Sequence, residues 1–321
     1  MSVQTKEIRK VNTISLSHYT KGNLEQKNKF IQDLYQGLLE YGFIILKDHD
    51  VSPELLKQAY QVLEKFYQLP VEKKKTYVSA KGGGQRGFTA FGTEHAKDSP
   101  VMDLKEFWHV GREVAAGHTF EKYYPQNIWP DDVMPEFRQI FDKLYAQLEL
   151  AGIQMMEALT GPLEVDKNFF RNMVSEGNSI LRLLHYPPIP DGIDPRCVRA
   201  AAHEDINFIT ILPAATQSGL QLKDRDGSWL DIESDFGALI VDAGDMLARL
   251  TNDVIPSTTH RVINPQDGTN KARYSMPFFM HPHPESNLSC LNSCRGTGAK
   301  YSDITAHAFL MQRLKEIGLT K

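Results

Sequence analysis

The sequence has few of the features that mark secreted and membrane proteins. Its three cysteines, Cys197, Cys290 and Cys294, are odd in number and too few for a disulfide framework. No apolar run approaches the length of a membrane-spanning helix, and the first residues, MSVQTKEIRKVNTISLSH, contain no apolar stretch typical of a signal peptide. We therefore expect free thiols, a cytoplasmic location and no membrane partner.

An excess of basic charge is also absent. The 36 Lys and Arg residues against 40 Asp and Glu give a formal charge of −4, and no Lys/Arg stripe is present, so we expect no nucleic-acid partner. The composition, 41% hydrophobic and 24% charged, is otherwise ordinary for a globular chain. A small-molecule partner fits this composition, and the sequence leaves the oligomeric state open.

The pattern of apolar residues changes along the chain. Helical spacing dominates the first half, as in LEQKNKFIQDLYQGLLEYGF and SPELLKQAYQVLEKFYQLP, whereas short β-type runs separated by turn signals follow residue 176. We predict a mostly β protein with flanking helices, built as one domain over 1–321. Residues 1–175 would be mainly helical, 176–290 would form a double-stranded β-helix (jelly-roll) core, and 291–321 would contain a C-terminal helix.

The glycine-rich segment AKGGGQRGFTAFGTEHA is the main irregular stretch. No Lys-Ser/Thr pair follows Gly82–Gly84, and no strand-to-helix context surrounds it, so a phosphate-binding loop is not expected. We predict instead a loop beside a site.

A histidine and two carboxylates stand next to an apolar β-type run in RAAAHEDINFITILP. Because side chains alternate along a strand, His203 and Asp205 would share one side while Glu204 points away. His260, in PSTTHRVINP, supplies a second imidazole from another β-type run. Two histidines and one carboxylate can hold a non-haem iron(II) with open coordination positions, and zinc also accepts this set.

A candidate anion site follows in ARYSMPFF, where Arg273 and Ser275 would share a strand face. A guanidinium grips a carboxylate with two hydrogen bonds, and a hydroxyl adds another donor. Because burying an arginine without a partner is costly, this pair indicates that an anion binds beside the metal.

These motifs, in this order, give the chain a close resemblance to a known family. HEDINFITIL, THRV and RYS, together with EYGFIILKDH, KEFWHVGRE and LRLLHYPP, resemble the isopenicillin N synthase-like family of iron(II)- and 2-oxoglutarate-dependent dioxygenases over nearly the whole chain. The resemblance implies a jelly-roll enzyme that uses Fe(II), 2-oxoglutarate and O2 to oxidise a small organic metabolite, with hydroxylation as the default outcome and succinate as the second product.

The resemblance also assigns roles to particular residues. It implies that His203, Asp205 and His260 bind iron. Arg273 and Ser275 would hold the distal carboxylate of 2-oxoglutarate. Tyr186, in HYPP, would point into the site toward co-substrate or substrate.

Some features separate this chain from relatives. Ile206-Asn207-Phe208 follow the metal motif where many relatives have a small residue, so a relative's substrate does not transfer. Asp205 itself argues against halogenation. The alternatives are an iron oxidase of the same fold that does not use 2-oxoglutarate, and a non-catalytic jelly-roll binding module. A zinc hydrolase fits less well, because the one base next to the motif is Glu204, which points away from the metal ligands.

Other histidines and aromatic residues have less defined expectations. The prolines around His281 and His283 predict a loop with water-exposed imidazoles. His185 is expected in the core, while His109 fits either a core or a pocket. Five phenylalanines fit pocket or core equally: Phe88, Phe91, Phe107, Phe208 and Phe278.

Overall fold

The computed structural model describes residues 10–79, 85–95 and 100–316, so the predicted loop at Gly82–Gly84 lies outside the described residues. The helices are α1 (Leu16–Thr20), α2 (Leu24–Tyr41), α3 (Pro53–Tyr67), α4 (Val71–Lys75), α5 (Glu136–Ala158), α6 (Phe169–Val174), α7 (Asp245–Leu250) and α8 (Ala306–Glu316). The strands are β1 (Thr13–Ser15), β2 (Phe43–Lys47), β3 (Gly87–Thr89), β4 (Glu106–Gly111), β5 (Ile180–Tyr186), β6 (Ala200–His203), β7 (Ile209–Pro213), β8 (Leu220–Lys223), β9 (Trp229–Asp231), β10 (Leu239–Ala243), β11 (His260–Val262), β12 (Arg273–Ser275) and β13 (Phe278–Met280).

The first long helices begin and end at residues suited to those positions. Asn23 caps α2 in a reciprocal capping box with Gln26, and Gly42 closes the helix with a left-handed φ of 66°. Ser52 caps α3 and Pro53 occupies its first turn. Both helices are therefore fixed by local sequence.

Two sheets form the β core. The larger has nine strands in the order β1-β2-β10-β7-β13-β5-β4-β3, with β12 also paired to β5. The smaller has the order β6-β11-β8-β9. An apolar cluster with members from both sheets, including Phe43, Ile240, Leu222 and Val262, fills the space between them. The predicted jelly-roll core with flanking helices is confirmed.

The region expected to be mainly helical also contributes to the sheet. Strands β1 to β4 come from it, and β2 pairs with β10 while β4 pairs with β5 along its full length. Their fully buried side chains, such as Trp108 and Ile44, pack into the main core beneath the helices. These short strands therefore tie the first part of the chain to the jelly roll.

The expectation that one strand carries both His203 and Asp205 is wrong. Strand β6 ends at His203 in the smaller sheet, and β7 begins at Ile209 in the larger one. The five residues between them carry the chain from one sheet to the other, because a turn here allows each run to bury its apolar face in a different sheet.

No helix in the described part of the chain combines the length and hydropathy needed to cross a membrane.

Candidate metal centre and adjoining cavities

The structure brings His203, Asp205 and His260 together at one end of the smaller sheet. His203 ends β6, His260 begins β11, and the two residues are partners across this antiparallel pair. Asp205 lies two residues beyond β6. Its Oδ1 is 3.7 Å from His203 Nε2 and 3.9 Å from His260 Nε2, and one ligand atom from each residue lies within 4.8 Å of the others.

Backbone carbonyls orient the two imidazoles. His203 Nδ1 donates to the Ala201 carbonyl at 2.8 Å, and His260 Nδ1 donates to the Thr258 carbonyl at 3.2 Å. Each Nε2 is thus left unprotonated and lies within 4 Å of Asp205 Oδ1. Burial lowers the pKa of His203 to about 4, with a further contribution from His260, which favours the neutral form that ligates metals. The donor set fits iron(II).

The two oxygens of the Asp205 carboxylate have different partners. Oδ1 faces the histidines, whereas Oδ2 accepts a hydrogen bond from the Thr210 hydroxyl, which in turn accepts from Asn207 Nδ2 at 2.9 Å. Burial raises the pKa of Asp205, but both histidines and Thr210 outweigh it and lower the pKa below its usual value. Glu204 lies apart from this cluster and accepts from the Thr259 hydroxyl at 2.8 Å.

Arg273 is buried, with 2% of its surface exposed, beside a second cavity of about 260 Å³. Its Nε donates to the Gln217 carbonyl at 3.0 Å, and its Nη1 lies 3.3 Å from Ser275 Oγ. The ring of Tyr186, its partner across β12 and β5, lies 5.1 Å from the guanidinium carbon. Burial lowers the pKa of Arg273, and no carboxylate among the described residues pairs with it.

A larger cavity of about 730 Å³ opens beside His203 and Asp205. Alternate residues of the larger sheet line it, because side chains alternate across each strand. Strand β4 and the residue before it contribute Lys105, Phe107 and His109, and β5 contributes Ile180 and Arg182. Strand β13 and the residue after it contribute Phe279 and His281.

The expectation of a water-exposed imidazole at His281 is wrong. His281 is 8% exposed and lines the larger cavity, with Nδ1 donating to the Phe279 carbonyl at 3.2 Å. Burial lowers its pKa to about 4. His283 is half-buried and stacks on Phe120 with ring centroids 5.1 Å apart. Both histidines lie beyond the end of β13, next to prolines, but the protein still covers most of their surface.

The remaining expectations divide between core and cavity. His185 is buried, bonded to Glu106 at 2.8 Å and stacked against Tyr67 and Tyr274, which confirms a core role. His109 lines the cavity. Of the five phenylalanines, Phe88 and Phe107 line the cavity and Phe208 and Phe278 lie in the core. Phe279 was missed, although its alternation with Phe278 would have placed one of the two on the opposite sheet face.

Two family models match the chain. The model described as non-haem dioxygenase in morphine synthesis N-terminal matches residues 11–132, and the 2OG-Fe(II) oxygenase superfamily model matches residues 177–282. The second match contains His203, Asp205, His260, Arg273 and Ser275.

Individual proteins resemble the chain over most of its length. The 2-oxoglutarate-Fe(II) type oxidoreductase hxnY of Emericella nidulans is 30% identical, covering 90% of this chain and 85% of the relative. A 2OG-Fe(II) oxygenase family protein of Caulobacter crescentus has a solved structure with a TM-score of 0.86, 41% identity and coverage of 96% and 99%. A full-length Neurospora crassa protein, solved in complex with α-KG and thymine, gives a TM-score of 0.85, 31% identity and coverage of 95% and 96%.

Proposed function

The chain belongs to the 2OG-Fe(II) oxygenase superfamily, and from this premise we propose which of its residues carry the reaction. It is an iron(II)- and 2-oxoglutarate-dependent oxidoreductase. In the proposed assignment, His203, Asp205 and His260 hold iron. Arg273, Ser275 and Tyr186 surround the distal carboxylate of 2-oxoglutarate. The observation that carries the assignment is the convergence of two Nε2 atoms on Asp205 Oδ1.

Bound iron(II) supplies the redox chemistry, coupling decarboxylation of 2-oxoglutarate by O2 to oxidation of the substrate. The protein's contribution is to hold the ligands in place. The carbonyls of Ala201 and Thr258 fix the tautomers of the two imidazoles, and Thr210 occupies the second oxygen of Asp205. With Oδ2 engaged by Thr210, Asp205 would offer Oδ1 to the ion together with the two Nε2 atoms.

Arg273 supports 2-oxoglutarate as the co-substrate. A buried guanidinium without a carboxylate partner is unfavourable, and a ligand carboxylate relieves this cost through two parallel hydrogen bonds. Ser275 and Tyr186 lie within reach of the same guanidinium. The same pair could grip a substrate carboxylate in an oxidase that dispenses with 2-oxoglutarate, so succinate formation is the deciding measurement.

The substrate is proposed to be a small molecule bound in the cavity of about 730 Å³. The thymine complex of the Neurospora crassa protein supports a ligand of this size. Hydroxylation is the proposed outcome. We also propose that 1–321 acts as one catalytic domain, since strands from Thr13 to Met280 share one sheet, and that it is cytoplasmic, in keeping with three buried free cysteines.

Iron binding by single-site variants tests the metal assignment. His203→Ala, Asp205→Ala and His260→Ala should each weaken Fe(II) binding at least tenfold in an anaerobic chelator competition, because each removes one of three ligands. His18→Ala, at an exposed histidine of α1, is the matched control and should bind like the wild type. Unchanged affinity in a folded triad variant would exclude that residue as a ligand.

A further inference from the structure

The cavity beside the triad contains charged side chains that neutralise one another. Lys105 Nζ lies 2.7 Å from Glu94 Oε1 and 2.8 Å from Asp103 Oδ2, and Arg182 Nη1 lies 3.2 Å from the same Glu94 oxygen. These two cations and two anions all line the cavity. Burial raises the pKa of Glu94, but Arg182 and Lys105 hold it well below its usual value, so the carboxylate stays ionised.

This arrangement contrasts with the second cavity. Arg273 has no carboxylate partner among the described residues, whereas Arg182 and Lys105 each have one already. An anion entering the larger cavity would lose its hydration without gaining an unpaired cation, because the described Lys105, Arg182 and Arg313 of its lining each already pair with a carboxylate. The larger cavity therefore disfavours a negatively charged ligand.

Flat groups form one wall of this cavity. The guanidinium carbon of Arg182 lies 4.3 Å from the ring centroid of Phe107 and 5.2 Å from that of Phe279. Its Nε donates to His109 Nε2 at 2.6 Å, and with the Glu94 contact this bond fixes the plane of the guanidinium. Aromatic rings and guanidinium planes stack on planar ligands. Phe279 is half-buried, so part of its ring remains open to the cavity.

His281 supplies a hydrogen-bond acceptor. Because its Nδ1 donates to the Phe279 carbonyl, Nε2 carries the free lone pair, and no described residue bonds to that atom. Nε2 is not fully buried, so a ligand in the cavity that His281 lines can reach it. A ligand N–H would satisfy it.

We propose that the substrate is a planar nitrogen heterocycle without negative charge, whose ring N–H donates to His281 Nε2. The inference rests on the proposed function and specifies its substrate class. The flat wall of Phe279 and Arg182 orients the ring, and the pairing of the lining cations disfavours anionic analogues.

Anaerobic calorimetry on the enzyme loaded with Fe(II) and 2-oxoglutarate tests this inference. The probes are uracil, thymine and hypoxanthine as neutral rings, 1,3-dimethyluracil as a ring with its N–H groups blocked, and orotate as the carboxylate-bearing ring. At least one neutral ring should bind. Dimethyluracil and orotate should bind at least tenfold more weakly than uracil.

Two substitutions at His281 locate the acceptor. His281→Leu should weaken binding of the neutral ring at least tenfold, whereas His281→Gln, which retains an acceptor, should keep most of the affinity. Retained affinity for 2-oxoglutarate shows that each variant is folded.

Three results would overturn the inference: no neutral ring binds, orotate binds as tightly as uracil, or His281→Leu leaves ring binding unchanged. In each case intact Fe(II) and 2-oxoglutarate binding would leave the proposed function standing. Loss of 2-oxoglutarate binding by the wild-type enzyme would instead contradict the proposed function.

Discussion

Among single residues, Thr210 has the most specific relation to the metal ligands. It is 3% exposed, and its hydroxyl donates to Asp205 Oδ2 while accepting from Asn207. This bond leaves Oδ1 as the oxygen that faces the histidines. The sequence gives no signal for this role, because Thr210 sits inside an apolar strand where a β-branched residue is ordinary.

Thr210→Val keeps the shape of the side chain and removes the hydroxyl. We expect Fe(II) affinity to fall about tenfold, since residues that orient metal ligands typically contribute about ten- to a hundredfold. Chelator competition with Co(II) as a second metal measures this loss. Thr210→Ser keeps the hydroxyl and should remain within about threefold of the wild type; equal affinity in both variants would refute the positioning role.

Arg273 carries a second prediction. Arg273→Lys retains the charge but cannot form two parallel hydrogen bonds, so we expect the KM for 2-oxoglutarate to rise at least tenfold. Ser275→Ala should raise it by about three- to tenfold. Steady-state kinetics at varied 2-oxoglutarate checks both, with Arg138→Lys on the exposed side of α5 as control. An unchanged KM in Arg273→Lys would contradict the proposed anchor.

At the scale of elements, a turn after β6, and not alternation along one strand, places His203 and Asp205 on the same side. Strand β6 ends at His203, and the turn that follows places the Asp205 carboxylate 3.7 Å from His203 Nε2. Alternation gave the correct grouping although the chain stays extended only as far as His203, because the turn brings Asp205 to the same side. The switch between sheets depends on tertiary packing, which local pattern does not encode.

The segment between α6 and β5 provides an element-scale prediction. A Cβ at Gly177 would lie 1.9 Å from the His281 carbonyl oxygen, a contact between two backbones that no side-chain rotation relieves. We expect Gly177→Ala to lower the free energy of unfolding by about 1–3 kcal/mol in urea.

Gly161→Ala is the matched control, because no atom lies within 4 Å of the position that its new methyl group would take and its φ is not in the left-handed region. It should unfold close to the wild type. Equal stability of the two alanine variants would mean that the close approach of Gly177 to His281 is not maintained in solution.

The cavity lining shows where sequence reasoning stops at this scale. Lys105, Phe107 and His109 alternate along KEFWHVG, so their common face could be predicted. That β13 lies on the other side of β5, and brings Phe279 and His281 to the same cavity, follows from sheet order. Strand order among many short strands is set by long-range pairing, which a single sequence leaves open.

At the scale of the whole molecule, the chain contains two cavities of different electrostatic character, one beside His203 and Asp205 and the other beside Arg273. The fold class, the three candidate ligands and the Arg-x-Ser pair were accessible from sequence because each depends on residue type and order. The substrate was not, because the paired charges of Glu94, Asp103 with Lys105, and Arg182 come from three separate segments. Their neutrality is a property of the folded molecule alone.

The most direct test of the central claim is the amount of succinate formed from 2-oxoglutarate under O2, measured together with substrate oxidation. The wild-type enzyme should form succinate only with Fe(II) present, in equal amount to the oxidised substrate, and Asp205→Ala should form none. Substrate oxidation without succinate, or undiminished succinate formation by Asp205→Ala, would contradict the account.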